Sequence, residues 1–117
     1  MAALYQDRLR DERRLSMQTI HSDVTMSWFV FVVRLANEYD QSDRDRILNG
    51  LRDRGISCGD YFAPIHLQPV YTERFGYKPG AYPVCEALAA RTIALPFHHD
   101  LTSEDVEWIC DELCRLL

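Results

Sequence analysis

Met26-Ser27-Trp28-Phe29-Val30-Phe31-Val32-Val33-Arg34-Leu35 is the stretch whose reading decides the fold. Trp28, Val30 and Val32 alternate with Phe29, Phe31, Val33 and Leu35, the period of two that sends successive side chains to opposite faces of a strand. β-Branched and aromatic residues suit such a pleated surface. Both faces are apolar, which predicts a central strand over Met26 to Leu35 covered on two sides, by helices or by a second domain. The apolar run Trp28 to Val33 is strand-sized and falls far short of the roughly 20 residues a membrane-spanning helix needs.

Downstream of this strand, Asn37 to Gln41 reads as a loop. Ser42 is the expected N-cap of the next helix, with Asp45 three residues on; Ile47, Leu48 and Leu51 form its apolar stripe and Gly55 its C′ residue. Ile56 to Phe62 reads as a short strand interrupted at Gly59. A short helix is expected over Gln68 to Phe75, then a loop at Gly76 to Gly80, then a helix opened by Pro83 and running towards Arg91. Thr92 to Pro96 is the last expected strand. The C-terminal helix is the best specified element. Thr102 is its N-cap with Asp105 at N3, Leu101 can staple onto Val106, and Val106, Ile109, Cys110, Leu113 and Leu117 share one face.

Upstream, Met17 to Ile20 reads as a short strand and His21 to Asp23 as a turn. Ala2 to Asp11 reads as a helix with Leu4, Tyr5 and Leu9 on one side. No Ser, Thr, Asp or Asn caps its start, so it is either a frayed N-terminus or the back half of a longer helix. Strands that interleave with helices but are few and short predict an α/β (α+β) two-layer sandwich. Its sheet would be small and mainly antiparallel or mixed, with helices packed on one face.

The length of 117 residues is that of one domain with one core. A net charge of -5 argues against general nucleic-acid binding, which needs a surplus of Lys and Arg. Met1 leads straight into a charged amphipathic segment rather than a signal peptide, so no membrane association and a cytoplasmic location are the expectation. Cys58, Cys85, Cys110 and Cys114 show no CxxC spacing and are read as core thiols, not as a zinc or disulfide framework. Phosphate loops, Walker sequences and dinucleotide fingerprints are absent.

The stretch Asp60 to Tyr71 mixes apolar bulk with a histidine, a glutamine and tyrosines, the composition of a site wall. His66 could act as general acid or base, with Cys58 or Cys85 as a nucleophile in a small hydrolase; the plainer reading is a structural histidine bonded to backbone. His98-His99-Asp100 invites a metal, yet adjacent histidines on extended chain diverge, so loop residues and no metal are expected. Glu104, Asp105, Glu107, Asp111 and Glu112 read as a solvated helix face.

Segment order adds a further indication. Ser27-Trp28-Phe29-Val30-Phe31-Val32-Val33-Arg34-Leu35 is followed by Leu51-Arg52-Asp53-Arg54-Gly55-Ile56 and by Tyr61-Phe62-x-Pro64-Ile65-His66-Leu67-Gln68-Pro69-Val70-Tyr71. Then come Phe75-Gly76-Tyr77-Lys78, Tyr82-Pro83-Val84-Cys85-Glu86-Ala87-Leu88, Arg91 to Pro96 and Leu101 to Val106. Over nearly the whole chain this resembles the C-terminal small domain of the DegT/DnrJ/StrS family of fold type I aminotransferases. These are pyridoxal-phosphate enzymes that act mainly on nucleotide-linked keto-sugars. The resemblance implies that residues 1–14 are the end of an interdomain helix and residues 15–117 the small domain. Tyr61, His66, Gln68 and Tyr71 would then line the sugar or nucleotide end of the pocket, and Glu86 and Arg91 match recurrent positions with either a substrate role or, the favoured reading, a structural ion pair. The family's cofactor lysine belongs to the upstream large domain. Lys78, the only lysine, lies in a Pro/Gly loop and cannot replace it, so the chain alone is expected to be inactive, with no catalytic or cofactor-binding residue of its own. The alternative is a non-catalytic binding or dimerisation module that uses the exposed domain face.

Overall fold

The computed structural model describes residues 1–117. Helix α1 (Ala2–Arg8) leads into strand β1 (Leu15–Met17), strand β2 (Phe31–Leu35) and helix α2 (Gln41–Asp53). Strand β3 (Gly59–Asp60), a 3-10 turn at Ile65–Leu67, helix α3 (Pro69–Phe75), helix α4 (Pro83–Ala89), strand β4 (Thr92–Leu95) and helix α5 (Ser103–Leu116) complete the chain. The strands form one antiparallel sheet in the order β1-β2-β4-β3. This is the expected α+β sandwich, with α1, α2 and α5 packed together on one face.

The central strand is shorter than its composition suggests. Its last pair with β4 is Phe31 with Leu95, and the next β4-side residue is Pro96, which has no N–H to give to the ladder. Trp28 therefore leaves the sheet and lays its ring against Phe31, 5.4 Å between centroids, while Phe29 is 78 % exposed. Phe31, Val33 and Leu35 are fully buried under the helices. The opposite face, with Val32 half-buried and Arg34 exposed, is open, so only one of the two apolar faces expected from the sequence is covered.

Other boundaries move for local reasons. Strand β1 runs from Leu15 to Met17 rather than from Met17 to Ile20: Leu15 pairs with Leu35 and Met17 with Val33, and Gln18 to Ile20 leave the ladder. The strand expected over Ile56 to Phe62 shrinks to Gly59–Asp60. Helix α1 ends at Arg8, short of Asp11. Helix α2 is capped by Asp40 rather than Ser42: the Asp40 carboxylate accepts from the Ser42 amide (2.7 Å) and the Asp43 amide (3.0 Å), and Asp43 accepts back from the Asp40 amide. The Ser42 hydroxyl donates to the same carboxylate and, with those amides, holds its pKa below the usual range. Thr102 and Asp105 cap α5 as the sequence predicts.

Tyr5 joins the layers. Its ring stacks on Phe31 at 4.7 Å and its hydroxyl donates to the Pro96 carbonyl at 2.9 Å. Helix α2 approaches α5 closely at Gly50, where a Cβ would stand 2.7 Å from a Leu116 methyl. Beside that approach, Glu112 takes Arg54 (2.7 Å) and Arg115 as partners.

Tyr5→Phe should keep the stack and lose about 1 kcal/mol of stability with the single hydrogen bond. Tyr5→Ala should lose about 3–5 kcal/mol, the range for emptying a buried aromatic site. Urea denaturation of both variants checks the difference, and equal losses would show that the stack contributes nothing.

Candidate functional site

The rim from Asp60 to Tyr71 leaves the sheet edge at β3 and is held there by the Thr92 hydroxyl, which donates to the Tyr61 carbonyl at 2.9 Å. Pro64 and Pro69 bracket the 3-10 turn and open α3, so the backbone between them turns without forming regular helix. The turn buries His66, whose Nε2 lies 2.9 Å from Glu86 Oε1. The His66 ring meets Tyr82 edge-on at 4.8 Å and Tyr77 at 6.1 Å.

Glu86 is the centre of this arrangement. Standing in the first turn of α4, its carboxylate also accepts from the Gly80 amide at 2.8 and 3.0 Å and from the Tyr82 amide at 3.1 Å. One side chain thus ties the 3-10 turn, the loop after Gly76 and the start of α4 together. The Gly80 amide first, then His66 and the Tyr82 amide, hold the Glu86 carboxyl below the ordinary range. Sequence reasoning paired Glu86 with Arg91. The structure separates them: Arg91 instead donates to Asn37 Oδ1 at 2.6 Å and to the Leu35 carbonyl at 3.3 Å. The signal that could have identified Glu86 was its place in the first turn of a Pro-opened helix, just after a Gly-containing loop with free amides.

Between the rim and α4 runs an apolar trough of about 650 Å3. Tyr61, Phe62, Ile65, Tyr82, Val84 and Leu88 are its larger lining residues. Phe62 is 65 % and Val84 75 % exposed. The four sequence-predicted site residues do not converge. Tyr61 lines the trough, His66 is buried against Glu86, and Gln68 and Tyr71 are exposed at the start of α3, with Tyr71 stacked on Phe75 at 6.1 Å.

The hydrolase reading loses its pair. His66 is committed to Glu86, Cys85 is exposed on the trough side of α4, and Cys58 Sγ sits 3.7 Å from the Leu48 carbonyl. Cys85 also departs from the core-thiol expectation, because α4 covers nothing with that face. His98 and His99 are exposed, and His99 pairs with its neighbour Asp100 at 3.1 Å.

Comparison with known proteins identifies the fold and its lineage. Residues 1–114 match the DegT/DnrJ/EryC1/StrS aminotransferase family, and the chain belongs to it. The erythromycin biosynthesis sensory transduction protein EryC1 of Saccharopolyspora erythraea is 31% identical over 110 residues, covering 93% of this chain and 28% of that protein. The spore coat polysaccharide biosynthesis protein SpsC of Bacillus subtilis is 26% identical, covering 92% of this chain and 28% of that protein. Among solved structures, the aminotransferase TlmJ of Streptoalloteichus hindustanus superposes with a TM-score of 0.81 at 28% identity, over 98% of this chain and 29% of that one. A Helicobacter pylori aminotransferase involved in the biosynthesis of pseudoaminic acid, PseC, shares the fold with a TM-score of 0.84 at 20% identity, over 98% of this chain and 30% of that one. The chain therefore spans under a third of the length of these relatives.

Two outcomes follow from the site. Because the Glu86 pKa is lowered on folding, its contribution is complete above the unfolded carboxylate pKa of about 4.3 and is lost as pH falls through the lower folded value. The melting temperature of Glu86→Gln should lie below that of the parent chain at pH 7, and the gap should close in acid; a gap independent of pH would refute the clamp. Thiol labelling at pH 8 should modify Cys85 first and Cys110 last, since burial pushes the Cys110 thiol up to about 12. Mass spectrometry of timed samples reads the order.

Proposed function

We propose that residues 15–117 form the small domain of a PLP-dependent sugar aminotransferase, with residues 1–14 as the end of the helix that joins it to a large domain. In this reading the domain follows the large domain in sequence, and the rim and trough form one wall of a pocket for a nucleotide-linked keto-sugar. The observation that carries it is the exposed apolar rim. Phe62, Ile65, Val70, Phe75, Val84 and Leu88 cluster on the segments around the trough. An apolar surface of that kind is covered in a working protein. Family membership and coverage of less than a third of each relative supply the partner that would cover it.

The chain's own residues do not suit pyridoxal phosphate. Lys78, its only lysine, is exposed on the loop between α3 and α4, and the trough lining contains no cation to take a phosphate. Amino-transfer chemistry would come from a cofactor held by the large domain. This chain's residues would bind and orient the sugar and keep water out. Tyr61, Gln68 and Tyr71 offer polar groups along the rim for hydroxyl contacts. His66, through Glu86, sets the position of the loop that faces them.

A second reading keeps the fold but uses the same apolar face to join two copies as a binding or dimerisation module; the exposure of Phe62 and Val84 is what favours it. Incubation with pyridoxal phosphate followed by borohydride should leave no stoichiometric pyridoxyl group on Lys78, and a stoichiometric adduct there would sink the aminotransferase-wall reading. Light scattering across a concentration series separates the two readings. A monomer with freely labelled Cys85 is expected, whereas a dimer that protects Cys85 would replace the first reading with the second.

A further inference from the structure

We infer that a hollow beside α5, where the chain leaves α2 and β4, is a docking site for another protein, and that it takes an arginine side chain of that partner. None of the residues that line it belongs to the trough, so the inference stands apart from the proposed function.

Trp108 is the observation that starts it. It lies in the middle of α5 and is 44 % exposed. The other tryptophan, Trp28, has its ring against Phe31 and Phe97, whereas no aromatic ring stacks on Trp108 and no cation stands over it. A single exposed ring is ordinary in itself. This one is a wall of a hollow of about 250 Å3, which Ile56, Pro96 and Leu101 line with apolar surface and His98 and Asp105 with polar atoms. That volume is below the range of small-molecule pockets and suits one long side chain.

The charge around Trp108 decides which side chain. The neighbours of a residue on a helix surface are three and four positions away, and for Trp108 these are Glu104, Asp105, Asp111 and Glu112, all acidic. Asp111 is paired with Arg8, and Glu112 with Arg54 and Arg115. The other two remain uncommitted. Glu104 makes no ion pair, and Asp105 uses only Oδ2 for the Thr102 amide and hydroxyl, at 2.9 and 2.8 Å, which leaves Oδ1 free. The Thr102 amide and hydroxyl hold the Asp105 carboxyl below the ordinary range, so it is charged at neutral pH. No lysine or arginine lines the hollow.

An open indole face flanked by two available carboxylates is complementary to a cation. Arginine suits it better than lysine. A guanidinium is planar and weakly hydrated, so it can lie flat on the indole while its fork donates to a carboxylate, and its methylene stem matches the apolar lining. Nucleic acids and anionic lipid surfaces are repelled by the same carboxylates.

The chain contains two tryptophans, so two indole N–H signals in a heteronuclear NMR spectrum report on it separately. Titration with the peptide acetyl-Gly-Leu-Arg-Leu-Gly-amide should move the Trp108 signal saturably and leave that of Trp28 in place. The lysine analogue should bind about threefold more weakly and the glutamine analogue about tenfold, the loss of the stacked cation and its carboxylate partner. Trp108→Ala should abolish the accompanying shifts at the Ile56 and Leu101 amides. Glu104→Gln, at a second exposed position, should weaken the arginine peptide about threefold, and the rest of the spectrum shows that both variants fold. No saturable shift at Trp108, lysine or glutamine peptides binding as tightly as the arginine peptide, or binding unchanged by Glu104→Gln would each overturn the inference. So would a shift of the Trp108 signal on concentrating the chain alone, which would seat a second copy in the hollow.

Discussion

The stack of Tyr5 on Phe31 is the contact on which the layers of this small protein depend. Helix α1 has seven residues, too few to hold itself in water, so it exists because Tyr5 and Leu9 are buried in the core. Phe31 is the residue at which the central strand stops, where Pro96 ends the ladder with β4. By stacking on that ring and donating to the Pro96 carbonyl, Tyr5 registers a helix against both central strands at their common end. Burial raises the Tyr5 pKa above that of an ordinary phenol, so the hydroxyl is a neutral donor at neutral pH.

A second constraint acts on the other side of the sheet edge and is electrostatic. Between Asp60 and Pro83 the regular elements are only the 3-10 turn and the two-turn helix α3, and two glycines of the loop after α3 adopt positive φ, 70° at Gly76 and 89° at Gly80. Such a segment would be loose if its amides faced only water. The Glu86 carboxylate gathers the Gly80 and Tyr82 amides and the His66 ring at one point, which leaves the apolar trough with a defined edge. Arg44 performs a related task from beneath, joining α2 to the C-terminal end of α4 through the Ala89 carbonyl.

The elements with strong periodicity or complete caps were legible in the sequence. Thr102 and Asp105 announce α5, Pro83 announces α4, and the alternation around Phe31 announces the central strand. The length of that strand was not legible, because it is set by the partner's Pro96, which is distant in sequence. In the same way the cap of α2 was assigned two residues late: both Asp40 and Ser42 can accept from helix amides, and only the path of the incoming chain selects Asp40. At the site, composition correctly drew attention to Asp60 through Tyr71 but could not separate inward from outward side chains along a run with two prolines and no fixed period. Hence His66 turned out to be buried and Gln68 exposed. Arg44 looked like one more charge on a helix face. Its burial depends on where α4 ends, which no local pattern records.

The scarcity of lysine has a practical consequence. Apart from the α-amino group, Lys78 carries the only primary amine in the chain, and it stands exposed on the loop that Glu86 holds beside the trough. Among side chains, an amine-reactive cross-linker or fluorophore would therefore be anchored at Lys78 alone, on the loop beside the apolar wall. Whatever molecule comes to lie over that wall can be captured, and its distance from the loop measured, without engineering a residue into the protein.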